Sequence, residues 1–314
     1  MHAKQNWFLA GLLGIVMLGY MVLGARGEWN FILPFRGAKL AALILVGTAV
    51  STATVLFQTI THNRILTPSV MGFDALYVLI VTLSVFFLGG QGFMDVPDTA
   101  RFLISLVVLI AGALFLFGTL LFQQQEDLLR LVLSGIILAI LFRSLTNFVV
   151  RMIDPNEFAV IQVSSYARFN RIETDLLGLS AVLIGAVLVV VWRMRHRLDV
   201  LALGRAAAIN LGENPRRGSL QILVLISILV ATSTTFVGPV AFLGLLVVSL
   251  AHLLTPGGGH GVLLISSGLI SCLVLVGGQT FLERVLGLST PLSVIVDFVG
   301  GLLFLFLVLK GVRR

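Results

Sequence analysis

The stretch LAALILVGTAVSTATVLFQ, residues 40–58, decides the fold class of this chain. It runs for nineteen residues without a charged side chain, and a helix of about 20 apolar residues is long enough to cross the hydrocarbon core of a bilayer. Apolar runs of similar length recur along most of the 314 residues. The strands of a membrane β-barrel would instead alternate apolar and polar side chains at every second position. The pattern therefore predicts an all-α, polytopic membrane protein.

The composition of the whole chain points the same way. Hydrophobic residues make up 58% of the sequence and charged residues 11%, with a mean hydropathy of +1.08. A soluble domain carries about a quarter charged residues, so this chain has too few polar side chains to cover a folded surface in water. The single cysteine, Cys272, leaves no partner for an intrachain disulfide. No GxxxxGK[ST] phosphate-binding loop occurs, so we expect any ATP-driven work to use another subunit.

Ten candidate spans follow from the apolar runs. They lie at about 7–25, 33–57, 69–89, 100–122, 131–150, 176–193, 219–237, 240–254, 261–280 and 292–310. With both termini inside, the inner segments carry twelve Lys and Arg against four acids, and the outer segments and span ends carry nine against eight. The positive-inside rule therefore predicts cytoplasmic N- and C-termini. The net charge of +7 is then a signal of topology, and a nucleic-acid partner is not expected.

The largest inner connection covers residues 194–218. Its middle, residues 198–211, contains helix-forming residues with apolar positions three and four apart, and Gly212 and Asn214-Pro215 end it. This pattern predicts a short amphipathic helix on the cytoplasmic surface. Two interpretations stay open on physical grounds: the helix rests on lipid headgroups, or it docks onto a cytoplasmic partner.

A polar tract within residues 57–77 interrupts the apolar sequence near the inner end of the second span. Asp74 lies next to it, and an acid at membrane depth is costly and often functional. Near the end of a span, however, an acid can cap a helix or pair with a base such as Arg64. We favour the structural interpretation.

The outer segment 151–175 mixes charges of both signs with aromatic residues, a composition suited to contact with another protein or a ligand. Just before it, Arg143 and Asn147 lie one turn apart in the outer half of the fifth span. The arginine either reaches toward the headgroups or faces a water-filled path that attracts anionic cargo. The sequence does not choose between these.

Five motifs occur in order along the chain and together resemble those of FecCD-type permeases, the membrane subunits of ABC importers for ferric siderophores, haem and cobalamin. They are RGAK (36–39), HNRILTPSVMG (62–72), LALGRAAAINLG (201–212), GPVAFLGLLVVSLAHLL (238–254) and TPLSVIVDFVGGLLFLFLVLK (290–310). The sequence departs from the family pattern at Val248-Ser249, where Pro-His is usual. Together with DPNEF (154–158), the motifs are most similar to the branch that imports iron bound to catecholate or mixed-ligand siderophores.

The resemblance implies a single transmembrane permease domain over residues 1–314, with 194–218 as its cytoplasmic coupling-helix segment. The implied function is movement of a ferric siderophore across the bacterial inner membrane, driven by ATP hydrolysis in a separate subunit. The chain would then not be an enzyme and would bind no cofactor, since ATP and Mg²⁺ belong to the partner ATPase subunits. The implied partners are two ATPase subunits, a periplasmic or lipoprotein substrate-binding protein, the lipid bilayer, and a second permease subunit. For that subunit a paralogue is favoured over a second copy.

The resemblance also assigns roles to particular residues. The residues that match the coupling motif and would sit in the ATPase groove are Leu203, Gly204, Arg205, Ala208, Leu211 and Gly212. The outer basic residues that would meet acids on the binding protein are Arg36, Lys39 and, by a looser match, Arg284. The substrate path is assigned to Arg143, Asn147 and Phe158.

The alternative function is a secondary transporter of a small molecule, coupled to protons or sodium. Such a transporter uses acids near the bilayer midplane beside broken helices. Asp74 and Asp297 are the two acids that fall within predicted spans. The sequence alone gives neither of them an obvious partner, and it does not determine their role.

Overall fold

A computed structural model describes residues 2–24, 27, 29–123, 128–170, 172–287 and 290–309 of the chain. Over these residues the secondary structure is α-helical, without strands. The helices are α1 (His2–Val22), α2 (Trp29–Thr61), α3 (Phe73–Asp95), α4 (Asp98–Gln123), α5 (Leu128–Val150), α6 (Pro155–Ser164), α7 (Thr174–Leu201), α8 (Arg205–Asn210), α9 (Pro215–Val237), α10 (Leu243–Leu254), α11 (His260–Arg284) and α12 (Leu292–Leu309).

Each of the ten predicted spans coincides with one of these helices, and α6 and α8 are additional short helices. Among the described residues, eight helices are long and apolar enough to cross a membrane, whereas Leu243–Leu254 and Leu292–Leu303 are shorter apolar helices. The prediction of an all-helical protein with many apolar helices is confirmed. The exact number of crossings and the side of the termini stay predictions.

The core forms around α2, α9 and α11, each of which is at least half buried along its span. Small residues allow α2 and α11 to approach closely, because a side chain added at Gly47 would lie 3.4 Å from the backbone nitrogen of Cys272. Transmembrane helices gain packing energy from such close contacts. By contrast, only 11% of the α1 span is buried, and Trp7 and Phe8 are more than two thirds exposed.

Hydroxyl side chains inside α2 satisfy their hydrogen bonds within the helix. Thr48, Thr54, Thr59 and Thr61 each donate to the backbone carbonyl four residues earlier, at 2.7–2.9 Å. A polar group in an apolar interior is costly unless it is hydrogen-bonded. This local bonding explains how a polar-containing helix can occupy the centre of the molecule.

The chain between α9 and α10 reverses direction at Gly238. This residue has φ 108°, and a side chain there would lie 2.7 Å from the backbone oxygen of Tyr166. Only glycine combines that conformation with so close an approach. The sequence suggested that the span after Gly238-Pro239 is a half-helix or tilted, and α10 has 12 residues, a length of about 18 Å.

Candidate functional site

The inner connection differs from the predicted single helix over 198–211. Helix α7 continues to Leu201, beyond the expected end of the span, and α8 begins only at Arg205. The break lies at Gly204, whose φ of 93° and ψ of 168° are not helical, so the chain turns away from the axis of α7 there. A side chain is strained at that positive φ, so the glycine allows the sharp turn between the two helices.

Residues 202–214, hereafter the coupling segment, present apolar side chains to the outside. Leu203, Ile209 and Leu211 are 64%, 52% and 60% exposed. Exposed apolar side chains held on a short, structured turn suit a surface that either another protein or the lipid headgroups cover. The two glycines of the motif, at 204 and 212, have open space around them and leave this surface accessible.

One residue of the expected coupling set does not reach that surface. Ala208 is fully buried and belongs to the same apolar cluster as Leu198 and Leu201 of α7. Its side chain therefore holds α8 against α7 and is not available to an ATPase groove. Arg205, Leu211 and Gly212 are exposed and Gly204 is partly exposed.

An ion pair fixes the C-terminal end of the coupling segment to α7. The guanidinium of Arg197 on α7 donates to both carboxylate oxygens of Glu213, at 2.7 and 3.0 Å. These hydrogen bonds hold the pKa of Glu213 below its usual value. Asn214 then caps α9 by accepting from the backbone N–H of Arg217 at 3.2 Å. The segment is thus tied to α7 where it leaves and where it returns.

The basic residues expected at the outer face have three different environments. The Arg36 guanidinium donates to the backbone oxygens of Tyr20, Met21 and Leu23 at 2.6–3.2 Å. These carbonyls lie at the end of α1 and have no partner within that helix. Arg36 therefore caps the C-terminal end of α1 and is partly buried.

Lys39 does not have the exposed position that docking requires. It is 5% exposed, and its ammonium lies 3.4 Å from Oε1 of Glu283 on α11. The same oxygen accepts from Gln279 at 2.8 Å and from the Tyr20 hydroxyl at 3.4 Å. The docking role of Lys39 stays a prediction, and in this chain the side chain points inward to a buried acid. Sequence analysis missed this cluster, since Lys39 and Glu283 are far apart along the chain.

Arg284 is exposed, and its guanidinium lies beside Gly24, whose carbonyl accepts from Arg36 at 3.4 Å. The structure thus brings Arg36 and Arg284 to the same end of the molecule, around the end of α1. Of the three expected docking residues, Arg284 offers the most accessible charge.

The residues assigned to the substrate path lie on two helices that pack on α3. Arg143 and Asn147 share an exposed face of α5, while Phe142 and Thr146 of the same helix are buried. Phe158 is 41% exposed on α6. Its neighbour Glu157 accepts from the backbone N–H of Gly90 at 2.9 Å, where α3 is kinked, and so fastens α6 to α3.

The two acids within predicted spans lie on either side of the α9–α10 break. Asp297 accepts from the backbone N–H of Phe242 at 3.0 Å, so it satisfies a group that the break leaves free. Asp74 lines a cavity of about 20 Å³ together with Ser69, Thr234 and Gly238. That volume has room for one water molecule. Within the described residues, Oδ2 of Asp74 has no hydrogen-bond partner.

Comparison with known proteins identifies one matching family and relatives that are named as import permeases. The model of the FecCD transport family matches residues 8–310. The petrobactin import system permease protein YclO of Bacillus subtilis (strain 168) is 43% identical over 298 residues, which cover 95% of each chain. The petrobactin import system permease protein FatC of Bacillus anthracis is 30% identical over 88% of this chain and 78% of its own length.

A solved structure shares the fold. A metal-chelate-type ABC transporter in an inward-facing conformation superposes with a TM-score of 0.82, covering 99% of this chain and 100% of that one at 23% identity. The arrangement of helices described above is therefore that of a known class of membrane protein.

Proposed function

Because the chain belongs to the FecCD transport family, we propose that it is the membrane permease subunit of an ATP-binding-cassette importer that moves a ferric siderophore into the cell. The observation that carries this proposal is the family match over residues 8–310, with two relatives that are named as siderophore-import permeases. Both of these relatives are named for petrobactin. Ferric petrobactin is therefore the first cargo to test.

The coupling segment supports the role of a permease that receives work from a separate ATPase. Its exposed leucines at 203 and 211, with Ile209 between them, form an apolar surface outside the long helices. We assign this surface, with Gly204, Arg205 and Gly212, to the groove of an ATPase subunit that binds ATP and Mg²⁺. Ala208 supports the surface from beneath.

The proposed importer contains further partners. A second permease subunit, either a paralogue or a second copy, would complete the path across the bacterial inner membrane. A periplasmic or lipoprotein substrate-binding protein would dock at the outer end, where Arg284 is the exposed charge. Both termini of this chain would then be cytoplasmic.

We place the cargo path beside the exposed face of α5 and the outer helix α6. Arg143 and Asn147 give that face a cationic and a hydrogen-bonding group, and Phe158 gives the outer mouth an aromatic surface. A ferric chelate with anionic and aromatic parts fits such a mixed lining. The metal would travel inside its chelator and would not be bound by protein ligands.

Coupling to protons or sodium is not favoured. A secondary transporter would use its midplane acids to bind the coupling ion. One of the two acids, Asp297, already accepts the backbone N–H of Phe242 and so has a structural role.

The test is transport by the complete importer in proteoliposomes. The permease, its partner permease, the ATPase and the binding protein would be co-purified and offered iron-55 in complexes with petrobactin and other siderophores. We expect uptake that requires ATP on the ATPase side. Uptake driven by a proton gradient without ATP would reject the proposal.

A substitution in the coupling segment provides a second test. Replacing Gly204 with valine should abolish ATP-driven uptake while the protein still inserts, because φ 93° is strained for any side chain and the apolar surface would be displaced. A matched control is Gly178→Ala on α7, where a methyl group meets open space. Normal uptake by Gly204→Val would contradict the coupling assignment.

A further inference from the structure

The sequence TPGGGHG, residues 255–261, leads into α11 and has no role in the function described so far. His260 is the first residue of α11, and its ring lies between α7 and α2. Nδ1 is 2.7 Å from Oδ1 of Asp199 on α7, and Nε2 is 2.9 Å from the hydroxyl oxygen of Thr59 on α2. The ring is 12% exposed, so protein atoms enclose most of it.

Hydrogen bonds hold the ring on both sides. Ionised Asp199 can only accept, so Nδ1 of His260 carries a hydrogen and donates it. A hydroxyl both donates and accepts, so Thr59 can bond Nε2 whether or not that nitrogen carries a hydrogen.

Asp199 also caps the start of α11. Its Oδ1 accepts the backbone N–H of His260 at 2.7 Å, and Gly259 provides no side-chain cap of its own. A negative charge at the N-terminus of a helix is stabilised by the helix dipole. The glycines on either side make room for this contact. A side chain at Gly259 would lie 3.3 Å from both Asp199 oxygens, and one at Gly261 would lie 3.2 Å from Cδ of Arg195.

The inner end of α7 therefore makes polar contacts with two other parts of the chain, the coupling segment and the start of α11. Arg197 binds Glu213 at the return of the coupling segment, and Asp199, two residues later, binds His260. Through His260 and Thr59 the contact reaches α11 and α2, whose spans are 50% and 67% buried. It adds a polar link to the direct packing of α7 on these two helices.

We propose that His260 is a positioning residue that links the coupling segment to the membrane core, so that work from the ATPase reaches α2 and α11. This proposal rests on the proposed function of an ATP-driven permease. His260 touches neither cargo nor nucleotide and acts through Asp199 and Thr59.

The test uses the complete importer in proteoliposomes and measures iron-55 siderophore taken up per ATP hydrolysed. Thr59→Val keeps the shape of the side chain but cannot hydrogen-bond Nε2, and His260→Gln cannot bridge both partners. Both variants should show a ratio about tenfold below that of the wild type, the change expected from losing one hydrogen bond in the link.

The matched control is His196→Gln, which changes an exposed histidine three residues before Asp199 on α7 and should keep the wild-type ratio. A wild-type ratio in Thr59→Val and His260→Gln would overturn the proposal. A ratio that falls equally in His196→Gln would also overturn it.

A second measurement separates this proposal from the proposed function. Hydrogen exchange of residues 259–263 in the assembled complex, without cargo or ATP, should be faster in Asp199→Asn and in His260→Gln than in the wild type. Unchanged exchange in both variants would reject the link even if the importer works. Faster exchange together with wild-type uptake driven by protons would retain the link and reject the importer.

Discussion

At the scale of single residues, Lys39 is the residue whose environment differs most from the one that the sequence predicts. The basic motif at 36–39 resembles an outer docking motif, but Lys39 is buried against Glu283. A charge removed from water is stabilised only when it is paired and its other hydrogen bonds are made. The cluster around Glu283 Oε1, with Gln279 and the Tyr20 hydroxyl, meets that requirement.

Replacing Lys39 with methionine should therefore destabilise the folded protein by about 3 kcal/mol, because it leaves Glu283 buried without its counter-ion. Thermal unfolding of the purified permease in detergent would measure the loss. Adding Glu283→Gln to Lys39→Met should recover most of it, since the double variant buries no unpaired charge. Full stability of Lys39→Met alone would contradict the buried pair.

A second prediction at the scale of single residues concerns how the ion pair of Glu213 depends on pH. The pKa of Glu213 is lowered by the hydrogen bonds from Arg197. The contribution of Glu213 to the stability of the segment is therefore fully present above the ordinary carboxyl pKa and is lost as the pH falls through the lowered value. The protection of residues 202–214 against hydrogen exchange, relative to the intrinsic exchange rate at each pH, should therefore be high near neutral pH and lower in acid. Glu213→Gln should show low protection already at neutral pH, with little further change in acid. A Glu213→Gln profile identical to the wild type would show that the ion pair does not hold the segment.

At the scale of helices, breaks in the apolar helices determine the architecture. The α9–α10 reversal at Gly238 places the end of α9 against residues 166–168, where Arg168 donates its backbone N–H to the carbonyl of Val237 at 2.7 Å. The kink of α3 at Gly89 likewise frees a backbone group that Glu157 of α6 satisfies. Inside a membrane such free groups need protein partners. The breaks therefore explain why acids lie at these depths.

Replacing Gly238 with alanine should lower the yield of folded protein severely, because the new methyl group would lie 2.7 Å from the backbone oxygen of Tyr166 at a positive φ. Monodisperse protein after detergent extraction, measured by size-exclusion chromatography, is the readout. Gly277→Ala is the matched control, since that glycine lies within helix α11 with open space around it. Equal yields of the two variants would show that the reversal tolerates a side chain.

At the scale of the whole molecule, the two ends of the helix bundle have different surfaces. One end carries the coupling segment with its exposed apolar side chains, and the other carries Arg36 and Arg284 around the end of α1. Exposed charges steer encounters between proteins more than they add affinity, whereas apolar surfaces provide lasting contacts. The surfaces suit transient binding of a substrate-binding protein at one end and stable binding of an ATPase at the other.

Reversing the charge of the exposed arginine, in Arg284→Glu, should slow association of the binding protein, most strongly at low ionic strength because salt screens exposed charges. Surface plasmon resonance with the importer in nanodiscs, at low and high salt, would measure the association rate. The control is Arg151→Glu, an exposed arginine after α5 outside the expected docking set. A loss of binding that does not depend on salt would point to misfolding of the variant.

The sequence by itself determined the helical class, the place of the ten apolar helices and the family. These features depend on local quantities, namely the length of apolar runs, the positions of glycine and proline, and residues close together in the chain. The sequence predicted one helix over 198–211, however, because spacing alone does not show that Gly204 has a positive φ.

Only the tertiary structure decided which distant side chains meet. It paired Lys39 with Glu283, Asp297 with the N–H of Phe242, and His260 with Asp199 and Thr59. Each of these contacts joins residues at least 55 positions apart, and each satisfies a buried polar group. The cost of leaving such a group unpaired is imposed by burial, and burial exists only once the helices have packed together.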